Sequence, residues 1–235
     1  MAARRGVTTD QVVAAALAVL DEAGRVTDVR PAAVAKRLGI RSQSLYAHVD
    51  GAAGLRRLLA LRSLDDLAEA VTTAAVGRSG RDATEAVVRA HLSFALVYPG
   101  RFSAAIHPPG RDSDLEAAVN RVGRPLQTVL QSLGLDDGPR VHWTRLQLAV
   151  TAGFASLVHG EQLTLAPGVD DTVEHLVAML LGHLQPHLPG LPAATAANDA
   201  RRALALRWAA ASLAQPAHGA TRAGGSAADS GNHVT

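Results

Sequence analysis

The chain has 235 residues, 48% of them hydrophobic and 19% charged, a balance that suffices for a buried core and excludes a wholly disordered chain. It contains no cysteine, which excludes disulfides, thiolate metal sites and a cysteine nucleophile and suits a reducing compartment. The net charge of +2 hides an asymmetry, because residues 1–60 carry nine Lys and Arg against five acids while the remainder is slightly acidic. A basic head on a near-neutral body is the pattern of a polyanion-binding protein. There is no apolar run of about 18 residues, and Arg4 and Arg5 are not followed by the apolar segment of a leader, so a soluble cytoplasmic protein is expected.

Helix signals run along nearly the whole chain and no alternating strand pattern competes with them, so the fold class is all-α. The first helix begins near Thr8, where Thr8 and Gln11 have the spacing of a capping box, carries Val12, Val13, Ala16, Leu17 and Leu20 on one face, and stops at Gly24. A second starts at Pro31, whose fixed φ suits the first helical position, buries Val34, Ala35 and Leu38, and ends at Gly39. A third runs from about Ser42 to His48 with Leu45 and Val49 facing inward and Gln43, Ser44, Ala47 and His48 outward. A long helix over about 52–76 carries Leu55, Leu58, Leu59, Leu67 and Val71 and links this head to a body.

Further helices are predicted at roughly 82–98, 112–133, 139–164 and 171–187, separated by Pro99-Gly100, Pro108-Pro109-Gly110, the stretch Gly134 to Pro139, and Ala166-Pro167-Gly168. An alanine-rich helix is expected over 194–214, and residues 216–235 have the composition of a disordered tail. The resulting division is a helix-turn-helix domain over 1–52, a ligand-binding and dimerisation domain over 53–215, and the tail.

Two short helices broken by a glycine, the second polar on one face and flanked by Arg and Lys, form a helix-turn-helix candidate over residues 29–49. Residues 9–60 resemble the N-terminal domain of the TetR family of transcriptional regulators. The resemblance is carried by Ala14-Ala15-Ala16-Leu17 and Ala23-Gly24, by Val34-Ala35 and Leu38-Gly39-Ile40, and by Ser44-Leu45-Tyr46 followed by His48-Val49. The C-terminal region also resembles one subgroup of that family, carrying a (W/V)HG motif, through Tyr98-Pro99-Gly100-Arg101-Phe102 and Gly153-Phe154-Ala155-Ser156-Leu157-Val158-His159-Gly160. The resemblance implies three N-terminal helices, a fourth that joins them to an all-helical ligand-binding domain, and a homodimer built from the last helices of the body. In the subgroup the second motif lies near the dimer interface, which matches the apolar face Trp143, Leu146, Val150, Phe154, Leu157 and Val158.

Two departures from the family pattern bear on DNA contacts. The lysine that many relatives carry at the start of the fourth helix is Ala52, so that a phosphate contact is either missing or moved to Arg56 or Arg57, and the usual hydroxyl cap of the second helix is Arg30, which leaves capping to Thr27, Asp28 or water.

Side-chain chemistry assigns roles on this scaffold. Gln43 presents an amide that matches adenine N6 and N7, and Arg41 a guanidinium that matches guanine O6 and N7. Ser42, Ser44, Tyr46, His48, Lys36 and Arg30, with Arg56, suit phosphate oxygens, and Arg4 and Arg5 suit a minor groove. A dimer would read a near-palindromic operator in double-stranded DNA.

Candidates for lining an effector cavity in the body are His91, Phe94, Tyr98, Phe102, His142, Trp143, Phe154 and Met179. Few aromatics favour a modest apolar or mixed effector. The alternative class, a histidine-dependent metal-binding protein or enzyme, rests on His183 and His187 at i,i+4 with His175 upstream, but Pro186 and Pro189 mark this as a helix end. No nucleophile–base constellation, phosphate-cradling glycine loop or HExxH is present, so no enzymatic activity, metal or cofactor is expected.

Overall fold

The computed structural model describes residues 7–107 and 110–184. The expected helix over 194–214, the tail over 216–235, Arg4, Arg5 and His187 lie outside the described residues. Among the described residues the structure is all-helical, with α1 Thr9–Ala23, a 3-10 turn Val26–Asp28, α2 Pro31–Leu38, α3 Ser42–Leu45, α4 Gly51–Ala75, α5 Gly80–Val97, α6 Pro99–Ala105, α7 Ser113–Ser132, α8 Asp137–His159 and α9 Val169–Gly182.

The start of α1 is the capping box that its sequence spells: Thr8 Oγ1 accepts from the Gln11 amide at 3.3 Å and Gln11 Oε1 accepts from the Thr8 amide at 2.9 Å. Gly39 ends α2 at φ +67°, a left-handed position where a Cβ would add strain, and this turns the chain into α3. Neither Thr27 nor Asp28 caps α2. Thr27 and Asp28 form part of the 3-10 turn and hydrogen-bond to each other at 3.2 Å, and α2 starts with no side-chain cap.

The third helix is shorter than its sequence predicts. It ends at Leu45, and the chain then tightens, with the His48 amide bonded to the Leu45 carbonyl at 2.9 Å and the Val49 amide to the same oxygen at 3.2 Å. Tyr46 is 52% exposed and so is not part of the head's frame.

Two hydrophobic cores organise the fold. The head's core joins Val12, Ala16 and Leu20 of α1, Val34 and Ala35 of α2, Leu45, Val49, and Leu55 and Leu59 of α4. The body's core takes Leu64, Leu67 and Val71 from the same α4, and adds Val87, Val88 and Leu92 of α5, Leu126 and Leu130 of α7, Trp143 and Phe154 of α8, and Leu180 and Leu181 of α9. At 1.5 Å per residue, the 25 residues of α4 span about 37 Å, enough to pass from one core into the other as a single helix.

The sequence reading treats Pro99-Gly100 as a separator; the structure makes it the first turn of α6, with Pro99 at a position where its missing N–H costs nothing. This helix joins the two cores. Ala104 is buried in the head's core, whereas Phe102 and Ala105 belong to the body's. Gly100 lies against α1 so closely that a Cβ there would stand 2.4 Å from the Leu20 carbonyl oxygen. Arg101 then reaches across the seam, with Nε and Nη2 on Asp21 of α1 at 2.9 and 2.7 Å and Nη1 on Asp66 of α4 at 3.0 Å.

Gly100→Ala is expected to destabilise the protein by about 1–3 kcal/mol, because the obstructing atom is backbone and α1 must shift. A thermal unfolding midpoint equal to that of the parent protein would show that α1 and α6 do not meet this closely.

Candidate nucleic-acid interface

The surface formed by α2, α3 and the turn between them gathers the residues that the sequence assigns to DNA. Leu45 is fully buried and Val34 and Ala35 anchor α2, so the intervening polar residues are forced outward. Arg30, Lys36, Arg41, Ser42, Gln43, Ser44 and Tyr46 are all exposed, and His48 is half-buried. Tyr46 and His48 border an open recess that continues through Ala47 and Val49 to Asp50 and Gly51 at the start of α4.

The cations here divide by what they touch. Arg37 is committed to Glu22 of α1 at 2.6 Å, a contact that fixes α2 on α1. Arg57, one of two positions offered for the relocated phosphate contact, is held by the body: Nη2 lies 3.1 Å from Asp112 Oδ1, and the group also meets Asp114. The Arg57 guanidinium keeps the Asp112 carboxyl below its ordinary pKa, and Asp112 also caps α7 by accepting from the Asp114 and Leu115 amides. Arg57 is therefore a seam residue. Among the described residues Arg30, Lys36, Arg41 and Arg56 make no ion pair, leaving them free for phosphate.

A family model described as the tetracyclin repressor-like C-terminal domain matches residues 84–180, which run from α5 into α9. An uncharacterized HTH-type transcriptional regulator of Mycobacterium tuberculosis is 34% identical over 167 residues, covering 70% of this chain and 73% of its own length. The chain belongs to the TetR family of transcriptional regulators. A second relative, the HTH-type transcriptional regulator YobS of Bacillus subtilis, is 28% identical over 81% of this chain and 96% of its own. In fold the TetR-family chain is similar to a TetR variant of Acinetobacter baumannii in complex with minocycline, with a TM-score of 0.59, 17% identity, and coverage of 77% of this chain and 97% of that one. As a member of this family the protein is a DNA-binding regulator of transcription, and no helix among the described residues is long and apolar enough to cross a membrane.

In the body, the residues proposed from sequence as effector contacts separate into two sets. His91, Phe94, Phe102, Trp143 and Phe154 are buried within it. Tyr98 is half out of the surface, with its ring 5.5 Å from that of Phe94 and the Arg101 guanidinium 4.9 Å from its centroid, which makes it part of the seam. His142 and Met179 face outward. The apolar face read along α8 also splits: Trp143 and Phe154 turn inward, whereas Leu146 and Leu157 are exposed.

Sequence reasoning missed the polar members of the buried face. Ser63, Gln147 and Thr151 are fully enclosed although each occupies a position in a helical apolar stripe, and only that periodicity could have flagged them. The histidine of the Val158-His159-Gly160 segment also has a structural contact, its Nε2 lying 3.1 Å from the Ala95 carbonyl oxygen. His175 and His183 are exposed on or at the end of α9, with His175 Nδ1 2.8 Å from the Asp171 carbonyl oxygen. Among the described residues no three His, Cys, Asp or Glu side chains gather around a point that could hold a metal.

Burial pushes the His91 imidazole down to about 4, so it is neutral in the folded protein at pH 7. Between that value and the ordinary histidine pKa of about 6.5 the unfolded chain binds the extra proton, so stability falls as the pH is lowered through this window. The contribution is at most about 3 kcal/mol. Replacing His91 with Leu is expected to flatten the dependence of the unfolding midpoint on pH between 6.5 and 4; an unchanged slope would place the imidazole in contact with water.

Proposed function

We propose that this TetR-family protein is a homodimeric repressor that reads a near-palindromic operator with residues 1–52 and is released when a small-molecule effector occupies the body, residues 53–215. The observation that carries the reading is the exposed set Arg41, Ser42, Gln43 and Ser44 beside a fully buried Leu45, a recognition surface held rigid from beneath. Gln43 and Arg41 have the donor and acceptor pattern for base edges, each good bidentate pair discriminating by about 1–3 kcal/mol. Arg30, Lys36, Ser42, Ser44, Tyr46, His48 and Arg56 supply phosphate contacts, which position the head without specifying sequence. Such a protein works in the cytoplasm on double-stranded DNA, with no enzymatic step.

Dimerisation is supported by the apolar side chains left outside on α8 and at the far end of the chain described. Val141, Leu148 and Leu157 of α8 and Met179 of α9 are between 40% and 44% exposed. Pairing two copies through these helices would bury them and hold two heads at a fixed separation. Effector binding in the body would tilt α4 and shift the population of dimers away from the head spacing that DNA requires.

Selection from random duplexes by the purified protein is expected to yield a palindromic motif, with binding that weakens steeply as salt rises. Gln43→Ala should relax preference at one base pair per half-site by about tenfold to a hundredfold while binding persists. No enriched motif would overturn the reading, and an unaltered preference in Gln43→Ala would remove that residue from base recognition.

A further inference from the structure

A cavity of about 250 Å³ lies at the seam between head and body, outside the core of either. One wall is a single face of α4, where Ala53, Arg56, Arg57 and Ala60 follow one another at i, i+3, i+4 and i+7. The other walls come from the 3-10 turn through Val26, from α6 through Ala104, and from Asp112 where α7 starts. The space exists because Ala53, Ala60 and Ala104 all stop at Cβ. Its inner end is apolar, since Val26, Ala60 and Ala104 are buried, and its outer side is polar, since Arg56 and His107 are exposed.

The charges around this space are unequally committed. Both oxygens of Asp112 are occupied: Oδ2 accepts from Arg57 Nε at 2.5 Å, and Oδ1 accepts from Arg57 Nη2 at 3.1 Å and from the Asp114 and Leu115 amides. Asp114, outside the lining, meets Arg57 Nη2 as well. The donors are not used up. Arg57 Nη1 makes no bond among the described residues, and Arg56 makes no ion pair among them. His107 adds a ring N–H in either tautomer.

We propose that this cavity is a second small-molecule site, separate from the core of the body, that binds a small organic monocarboxylate, and that the bound anion competes with DNA phosphate for Arg56. The site rests on the cavity and its unspent donors; the competition rests in addition on the proposed reading of Arg56 as a phosphate contact. A guanidinium fork matches a carboxylate with two parallel hydrogen bonds. An ammonium would meet two arginines and a carboxylate already paired, and an uncharged molecule would leave Arg56 to water. At about 30 Å³ per water in the liquid, the space equals roughly eight waters, which suits an anion of the size of benzoate with its ring against the alanines. Val26 belongs to the core of the head and Asp112 caps α7 of the body, so an occupant touches both sides of the seam. A guanidinium turned to the ligand is withdrawn from the DNA backbone, and each anion then weakens the other by the same factor.

The test is isothermal titration calorimetry of the full chain without DNA, at constant ionic strength, with benzoate, benzamide and benzylamine, repeated with Arg56→Gln and Ala53→Leu. Both substitutions fall at exposed positions, and an unfolding midpoint close to the parent's checks that each variant is folded. Benzoate is expected to bind saturably at one per chain, benzamide about tenfold more weakly and benzylamine not at all, and each substitution is expected to weaken benzoate by about tenfold, the first by removing its charged partner and the second by filling the space. No saturable benzoate binding, benzamide or benzylamine binding as tightly as benzoate, or undiminished benzoate affinity in either variant would each remove the site. With the selected operator bound, benzoate affinity is expected to fall about fivefold or more, and benzoate to displace operator from the parent protein but not from Arg56→Gln. Benzoate affinity that ignores the operator would refute the competition and keep the site. Failure to select any operator would sink the regulator reading and the competition with it, while the titration without DNA still decides the site.

Discussion

A single buried stripe on α4 is the constraint on which the rest of the molecule depends. Leu55 and Leu59 belong to the core of the head, and Leu64, Leu67 and Val71, further along the same helix, belong to the core of the body. No loop intervenes between the two groups to absorb a movement. A displacement of the body's end of α4 must therefore reach the head as a rotation or translation of a continuous hydrogen-bonded rod. Well-packed cores resist gradual deformation and favour discrete arrangements, which suits a helix that must report one of two states.

The seam around α6 decides how much freedom that rod retains. Its ion pairs look dominant on a map, but their energies are modest: Arg57 and its two carboxylates are partly or largely exposed, and such pairs contribute about 0–1 kcal/mol. Arg101 is better placed, with its bidentate grip on Asp21, its bond to the largely buried Asp66 and the Tyr98 ring beneath it. The apolar and steric contacts are stronger still. Burial of Ala104 in one core and of Phe102 and Ala105 in the other, with Gly100 pressed against the Leu20 carbonyl, closes a second connection between head and body parallel to α4. The head is thus fixed by two elements, and the charges set their register.

Local signals made the head legible from sequence. The Thr8 and Gln11 capping box, Pro31 at a first helical turn and Gly39 at a left-handed cap each state a backbone geometry that the fold adopts. The misreadings have equally local causes. Pro99-Gly100 reads as a breaker because the same pair serves turns, and only the close approach of α1 shows that the glycine is there to admit a carbonyl. Seeking effector contacts among large aromatic and thioether side chains brings in Tyr98, which belongs to the seam, and Met179, which faces outward, while attention to apolar residue types alone passes over Ser63, Gln147 and Thr151, whose positions in the stripes are buried. Long-range pairings such as Arg57 with Asp112 are 55 residues apart and leave no periodic trace.

The position of Ser63 connects these observations. It lies on α4 directly before Leu64, the first body-core residue of the stripe, and four residues beyond Leu59, the last of the head's. A movement of α4 at Ser63 would therefore act at the point where the helix passes from one core to the other, about one turn from the head. On the neighbouring helix, α5 runs through Phe94 to Tyr98, on which Arg101 rests. On the proposed reading, an effector in the body that shifted both α4 and α5 would bias both connections to the head at once, α4 through its stripe and α6 through Arg101. Contact with only one of them would work against the other, which would continue to hold the head in place.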